Sequence, residues 1–192
     1  GDLKALVERT ITEIEDDTIE VVGNSAFRGC TKLATANFPN CKTVGTYAFN
    51  GCTSLTSFNF DSVNYIADGA FAGAFAGAKL YISSNPTLQY NAFAGCSMTE
   101  LYAPNLKSAG AQAFQGCKSL VKAELPALTR LDTSVLGLCS ALKVADFTAL
   151  SFIANALAEC YELCALVIRN ENEICALNGS LYYTKIASGE GY

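Results

Sequence analysis

The stretch AFNGCTSLTSFNFDSV, residues 48–63, decides the fold because its apolar positions recur along most of the chain. Within it Phe49 follows a small residue and precedes Gly51 and Cys52. We call the Phe49 position the anchor of a repeat. Equivalent anchors occur at Phe27, Phe49, Phe71, Phe93, Phe114, Leu136 and Leu157, which are 22, 22, 22, 21, 22 and 21 residues apart. A period of about 20 to 50 residues indicates a solenoid, in which each coil buries its apolar face against its neighbours.

Two groups of apolar residues follow each anchor and predict two short strands per coil. The first group has the spacing LxxLxL, as in Leu55, Phe58 and Phe60, and such alternation is typical of a strand with one buried face. The second group is a pair three residues apart, as in Val63 and Ile66. Proline marks the corner between the two groups in three coils, at Pro39, Pro104 and Pro126. Such a corner tolerates proline because it lies outside the hydrogen-bonded ladders.

The anchor segments have the form AFxGC, and their glycine predicts a short helical turn that ends at that residue. The glycine is present in five coils, at Gly29, Gly51, Gly73, Gly95 and Gly116. Leu138 and Glu159 replace it in the last two coils, which predicts less regular turns there.

The third coil departs from the repeat in a way that loses core volume. Ala74 and Gly77 stand where other coils place cysteine and leucine. Protein cores are packed to nearly constant density, so another side chain must fill the space. Phe75 occupies a position that is polar in other coils, and we predict that it folds inward.

Nine cysteines and no histidine raise the question of metal or disulfide chemistry. Six of the cysteines share one repeat position: Cys30, Cys52, Cys96, Cys117, Cys139 and Cys160. This spacing lacks the paired ligands of zinc sites, and the odd total and stacked geometry disfavour disulfides. A ladder of reduced, buried thiols is therefore predicted, with no metal and no cofactor. Cys164 lies in the outward register and Cys175 lies beyond the repeats, so these two are the candidates for reactivity.

Composition disfavours several functional classes. Without histidine no Ser-His or Cys-His pair can form, and the carboxylates of Glu100, Glu124 and Asp146 are interpreted as solvated strand residues. The protein is therefore predicted not to be an enzyme. A net charge of −5 disfavours nucleic acid as a partner, because phosphate binding requires clustered lysine and arginine. No run of 18 apolar residues occurs, so no membrane insertion is predicted.

The segments AFRGCTKL, AFNGCTSL and AFQGCKSL, each followed by the first strand pattern, resemble the BspA-like bacterial leucine-rich repeats. The resemblance extends over about residues 11–168. It implies an α/β fold, a right-handed leucine-rich-repeat solenoid with a parallel concave sheet and short helical turns outside. The anchor spacing corresponds to about eight coils of 21–22 residues.

The chain divides into three predicted regions: an N-terminal helical cap at 1–10, the solenoid at 11–169 and an irregular C-terminal cap at 170–192. The first cap is predicted because Leu3, Leu6 and Val7 have helical spacing and a solenoid end needs covering. The repeat fades after Ile168, and truncation of that end is left open. A truncated end exposes a strand edge, so a monomer and a weak end-to-end dimer both agree with the sequence.

The outward positions of the first strand form two columns that cross successive coils on the concave face. We predict the ligand-binding residues in these columns: Asn37, Asn59, Lys79, Tyr81, Glu100, Tyr102, Lys122, Glu124 and Asp146. Tyr81 and Tyr102 fall on adjacent coils, and exposed tyrosine provides contact area at low entropic cost. The alternative is that the two rings only stabilise neighbouring strands.

Together these features predict a non-enzymatic protein-interaction module. The resemblance implies a bacterial surface or secreted protein that binds host proteins or neighbouring cells through its concave face, with a protein or glycan as partner. It places the protein outside the cell or at its surface, after removal of a signal peptide. The alternative is a structural or receptor-contact component of a prophage particle, located in the particle or the cytoplasm. That alternative arises because DLKALVERTITEI and YTKIASGEGY resemble the flanks of prophage-encoded repeat proteins.

Overall fold

The computed structural model describes residues 10–77 and 79–168, over which the backbone winds into about seven turns of a parallel β-solenoid. The repeat period therefore predicts the architecture correctly, although the number of turns is about seven rather than eight. The predicted caps at 1–10 and 170–192 lie outside the described residues, apart from Thr10.

Each turn carries up to two strands, and these form two rows. The first row covers the side that we call the front face: β1 Glu13–Glu15, β3 Thr35–Asn37, β5 Ser57–Phe58, β7 Lys79–Tyr81, β9 Glu100–Tyr102, β10 Lys122–Glu124, β12 Val144–Phe147 and β14 Ala165–Ile168. The second row consists of β2 Val21–Val22, β4 Thr43–Val44, β6 Tyr65–Ile66, β8 Thr87–Leu88, β11 Arg130–Leu131 and β13 Phe152–Ile153.

Strands of each row pair in parallel with the equivalent strand of the next coil. Thr35 pairs with Ser57 and Lys122 pairs with Val144, so each residue pairs with the residue one repeat further along the chain. The first row forms two sheets, β1-β3-β5 and β7-β9-β10-β12-β14. The second row forms the sheets β2-β4-β6-β8 and β11-β13. The front row is therefore interrupted between β5 and β7.

Alternation along the strands divides core from surface as the sequence predicts. The central residue is buried in three of the three-residue front strands: Ala36 in β3, Leu80 in β7 and Ala123 in β10. The residues on either side of it are half-buried or exposed. Successive side chains of a strand point to opposite faces, so the LxxLxL positions supply the core. The residues between those positions supply the front face.

The anchor segments are hydrogen-bonded turns, and no helix forms within 11–77 or 79–168. The helical part of the predicted α/β class is therefore wrong. The Phe27 N–H donates to the Ala48 carbonyl of the next coil at 2.8 Å, and the Phe49 N–H donates to the Ala70 carbonyl at 2.7 Å. A helix would need these N–H groups for bonds within its own segment, so the ladder between coils excludes it.

Left-handed residues recur in the anchor turns, and glycine occupies one of these positions in five coils. Leu138 and Glu159 adopt the same conformation in the last two coils, with φ of 62° and 63°. The Leu138 N–H still donates to the Ala158 carbonyl at 2.8 Å. The prediction of a less regular turn is therefore wrong at Leu138, because the ladder between coils offsets a strain of about 1–2 kcal/mol for a non-glycine residue in this conformation.

Phenylalanine anchors stack along the solenoid and fill its interior. The ring centroids are 5.1 Å apart for Phe27–Phe49, Phe49–Phe71 and Phe71–Phe93, and 5.3 Å apart for Phe93–Phe114. The rings are nearly parallel, with interplanar angles of 11°, 2°, 6° and 13°. Each ring thus completes the burial of the one before it, which makes the core continuous across coils.

Phe75 joins this core and confirms the prediction for the third coil. Its side chain is 1% exposed, and its ring centroid lies 5.5 Å from that of Phe71 and 6.1 Å from that of Phe93. The inward turn uses a left-handed backbone conformation at Phe75, with φ of 56°.

Gly110 approaches the preceding coil closely, and this contact generates a prediction. A Cβ at Gly110 would lie 2.7 Å from the Leu88 carbonyl oxygen and 2.8 Å from the Gln89 carbonyl carbon. Because both are backbone atoms held by their own coil, Gly110→Ala is expected to lower the free energy of unfolding by about 1–3 kcal/mol. Denaturant unfolding followed by circular dichroism measures the change.

Gly23 provides the matched control, since it occupies the same repeat position in the first coil. A Cβ at Gly23 meets no atom within 4 Å. Gly23→Ala should leave the free energy of unfolding unchanged or raise it by up to about 1 kcal/mol, because alanine restricts the unfolded chain. Equal losses in the two variants would contradict the proposed contact between coils.

Candidate functional site

From coil three onward, the structure assembles the two predicted columns on the front face. In one column Glu100 pairs with Lys79 of the preceding coil and Lys122 of the following coil. In the other column Tyr102 pairs with Tyr81. Parallel pairing therefore fixes the distance between neighbouring side chains of a column, and the register determines which residues are neighbours.

Tyr81 and Tyr102 form an exposed stack on this face. Their ring centroids are 5.4 Å apart and the ring planes differ by 14°. The side chains remain 53% and 42% exposed. The rings are held by the strands and by each other, so their outer surfaces are positioned for contact before any ligand arrives.

Two ion pairs flank the tyrosines. Lys79 Nζ lies 3.0 Å from Glu100 Oε2, and Lys122 Nζ lies 2.8 Å from Glu124 Oε1. The hydrogen bond to Glu124 raises the pKa of Lys122, because it favours the charged ammonium group. Both pairs are exposed to water, so their main effect is to orient side chains rather than to stabilise the fold.

A groove crosses the front face beside Tyr81, with a volume of about 460 Å³. Its polar lining includes Asn37, Asn59, Asp61, Lys79, Tyr81 and Ser83. Its floor contains Phe58, Phe60 and Phe75, which are 8%, 3% and 1% exposed. We call this site the front groove.

The front groove lies where the front sheet is interrupted. β5 pairs with β3 over two residues and forms no ladder with β7. In coils three, four and five the residue after the strand donates to the next coil, as the Ala103 N–H does to the Glu124 carbonyl at 2.9 Å. No such bond joins the Phe60 N–H to the Tyr81 carbonyl, although the structure describes both residues. The two coils therefore diverge at the front while their anchors stay stacked.

Coil three accounts for this divergence through its backbone. Gly77 has a positive φ of 64°, two residues after the left-handed Phe75. The Gly77 N–H donates to the Ser97 carbonyl of coil four at 3.0 Å, whereas the equivalent Leu55 N–H bonds within its own turn to the Cys52 carbonyl. The Gly77 backbone is thereby bonded to coil four instead of closing a turn within coil three.

Four of the predicted site residues line the front groove: Asn37, Asn59, Lys79 and Tyr81. The other five continue the columns along later coils: Glu100, Tyr102, Lys122, Glu124 and Asp146. Asp61 and Ser83 also line the groove and escape prediction, because they lie at the corner after the strand. The core volume missing at Ala74 and Gly77 is the feature of the sequence from which an irregular front face near Asp61 and Ser83 could have been predicted.

The cysteine ladder belongs to the core. The Cys52 thiol donates to the Phe27 carbonyl at 3.0 Å, and the Cys96 thiol donates to the Phe71 carbonyl at 3.1 Å. All eight described cysteines are free, and among them Cys164 is the exposed one. The predictions of reduced thiols and of an outward Cys164 are confirmed, whereas Cys175 lies outside the described residues.

Thiol reactivity provides a second prediction. Burial raises the pKa of the Cys52 and Cys160 thiols to about 12. The reactive thiolate is therefore scarce at both residues near about pH 8. Brief treatment of the native chain with iodoacetamide at that pH, followed by peptide mass mapping, should modify Cys164 and spare Cys52 and Cys160. Modification of Cys52 as fast as Cys164 would contradict a buried ladder, and urea-unfolded chain is the control in which all three react.

Among the residues that the structure describes, no three His, Cys, Asp or Glu side chains converge to hold a metal ion. Within 10–77 and 79–168 the structure contains no helical segment with the length and hydrophobicity needed to span a bilayer.

Comparisons with known proteins agree with this architecture. The BspA type leucine rich repeat region matches residues 8–120 and 79–178, in six copies. A leucine-rich repeat protein of T. pallidum has a similar structure, with a TM-score of 0.63 and 20% identity over 93% of this chain and 87% of that chain. A leucine-rich repeat protein from Bacteroides ovatus gives a TM-score of 0.57 and 23% identity over 93% of this chain and 42% of that chain. No protein of curated function matches the chain.

At these identities the two structures support the fold alone. The family match is stronger evidence, because its two matched ranges cover more than half of the chain and include all seven anchors. The chain therefore belongs to the BspA-type leucine-rich repeat family.

Proposed function

We propose that the protein is a recognition module that binds a protein partner, displayed by a host or a neighbouring cell, through its front face. Membership of the family supports this proposal, because such repeats are typically non-enzymatic interaction modules located outside the cell or at its surface. The observation that carries the proposal is the exposed stack of Tyr81 and Tyr102 beside the Lys79–Glu100 ion pair.

The tyrosine stack suits a binding hot spot for two physical reasons. Strand pairing and stacking already restrict Tyr81 and Tyr102, so a partner that covers them loses little additional side-chain entropy. The neighbouring Lys79 and Glu100 present both signs of charge at the edge of the patch, which favours a defined orientation of the partner.

A double substitution tests the proposal. The purified chain is screened by biolayer interferometry against extracellular host proteins that are produced without glycans. For a partner bound by the wild-type chain, Tyr81→Ala/Tyr102→Ala is expected to raise Kd by about 30-fold or more, because buried tyrosine hot spots contribute about 2 kcal/mol or more.

Tyr65→Ala/Tyr90→Ala is the matched control. It removes two exposed tyrosines that lie on β6 and in the turn after β8, away from the front row. This control should retain the wild-type Kd, and thermal unfolding checks that both double variants are folded. The proposal fails if the wild-type chain binds no protein at micromolar concentration, or if the control loses as much affinity as the front-face variant.

A further inference from the structure

The floor of the front groove differs from that of a protein-binding hot spot. Hot spots typically receive an aromatic or aliphatic anchor in an apolar pocket. Phe58, Phe60 and Phe75 lie beneath the groove but are almost fully covered by their neighbours. An apolar side chain placed in the groove would therefore remove little apolar surface from water, so the stabilisation would be small.

The charges of the groove favour a neutral ligand. Lys79 is paired with Glu100, and Asp61 is the other charged residue in the lining. A phosphate, sulfate or carboxylate group would meet the Asp61 carboxylate without an unpaired cation to balance it. The remaining polar lining consists of amides and hydroxyls, including Asn37, Asn59 and Ser83.

Hydrogen bonds within the protein orient the polar groups of the groove. Asn59 Oδ1 accepts the Asp61 N–H at 2.9 Å, which leaves the Asn59 amide N–H groups to donate to a ligand. One carboxylate oxygen of Asp61 accepts the Ser83 hydroxyl, which leaves the other oxygen as an acceptor. Asn105 Nδ2 supports this corner by donating to the Ser83 carbonyl at 2.7 Å. A fixed donor next to a fixed acceptor matches a pair of adjacent hydroxyl groups, because a hydroxyl both donates and accepts.

Tyr81 supplies an aromatic wall. One side of its ring packs on Tyr102, and Tyr81 lines the front groove together with Asn59, the residue that follows β5. The face of an aromatic ring carries negative charge density and attracts polarised C–H groups. A pyranose ring presents C–H groups on one face and hydroxyl groups around its edge, so it complements both Tyr81 and the polar pair.

We infer that the front groove binds one or two neutral sugar rings. A pyranose lies against Tyr81, and its adjacent hydroxyl groups contact Asn59 and Asp61. The volume of about 460 Å³ falls within the range of about 300–1,000 Å³ that is usual for small-ligand sites. The inference goes beyond the proposed function, because it assigns to the groove a ligand of its own that does not depend on a protein partner.

Titration with free sugars tests the inference. The probes are glucose, galactose, mannose, N-acetylglucosamine and lactose, followed by saturation-transfer NMR on the purified chain. At least one neutral sugar is expected to bind saturably with Kd of about 1 mM, which is typical of a few contacts at a shallow site. Asn59→Ala and Asp61→Ala should each weaken that binding by about tenfold or more, because each removes a group that contacts the sugar.

Asp16→Ala is the matched control for Asp61→Ala. Asp16 is a half-buried residue whose carboxylate accepts the Thr18 hydroxyl at 2.6 Å, and it does not line the front groove. Asp16→Ala should retain the wild-type affinity for the sugar. The inference is overturned if no neutral sugar binds up to about 50 mM, or if Asp61→Ala and Asp16→Ala bind equally well.

Failure of this inference is distinguishable from failure of the proposed function. A chain that binds a neutral sugar but no protein contradicts the proposed function alone. A chain that binds a protein through Tyr102 but no sugar contradicts this inference alone. Asp61→Ala separates the two sites directly, since it should weaken binding of the sugar and leave unchanged the binding of a protein partner produced without glycans.

Discussion

Hydrogen bonding between successive anchor turns is the constraint on which the rest of the structure depends. The Phe27 N–H reaches the Ala48 carbonyl, and the same bond recurs from coil to coil. It holds Phe49 and Phe71 at a centroid distance of 5.1 Å, so each coil buries the ring of its neighbour. Because this side of the solenoid is regular, an irregular coil opens a gap in the front sheet instead of breaking the stack.

Features that depend on local spacing could be predicted from the sequence. The strand rows follow from apolar alternation, and the inward Phe75 follows from the volume missing at Ala74 and Gly77. The turns could not be predicted, because the bonding of the Phe27 N–H is decided by the neighbouring coil. The columns containing Tyr81 were predicted residue by residue. The front groove was not, since it results from the backbone conformation of coil three.

The front face combines the rigid stack of Tyr81 and Tyr102 with the front groove. Tyr81 belongs to both, because one side of its ring packs on Tyr102 and its side chain also lines the front groove. The tyrosine stack suits a protein partner that covers both rings and the flanking ion pairs. The front groove suits a small neutral ligand with adjacent hydroxyl groups. Both properties arise from a repeat architecture that places equivalent positions of successive coils side by side.

Amide hydrogen exchange of Phe60 tests the interruption of the front sheet most directly. The equivalent N–H groups of Ile82 and Ala103 donate to the next coil at 3.0 Å and 2.9 Å, whereas that of Phe60 does not reach the Tyr81 carbonyl. Residue-resolved exchange measured by NMR should therefore show fast exchange at Phe60 and slow exchange at Ile82 and Ala103. Protection of Phe60 equal to that of Ala103 would show a continuous sheet and contradict the front groove.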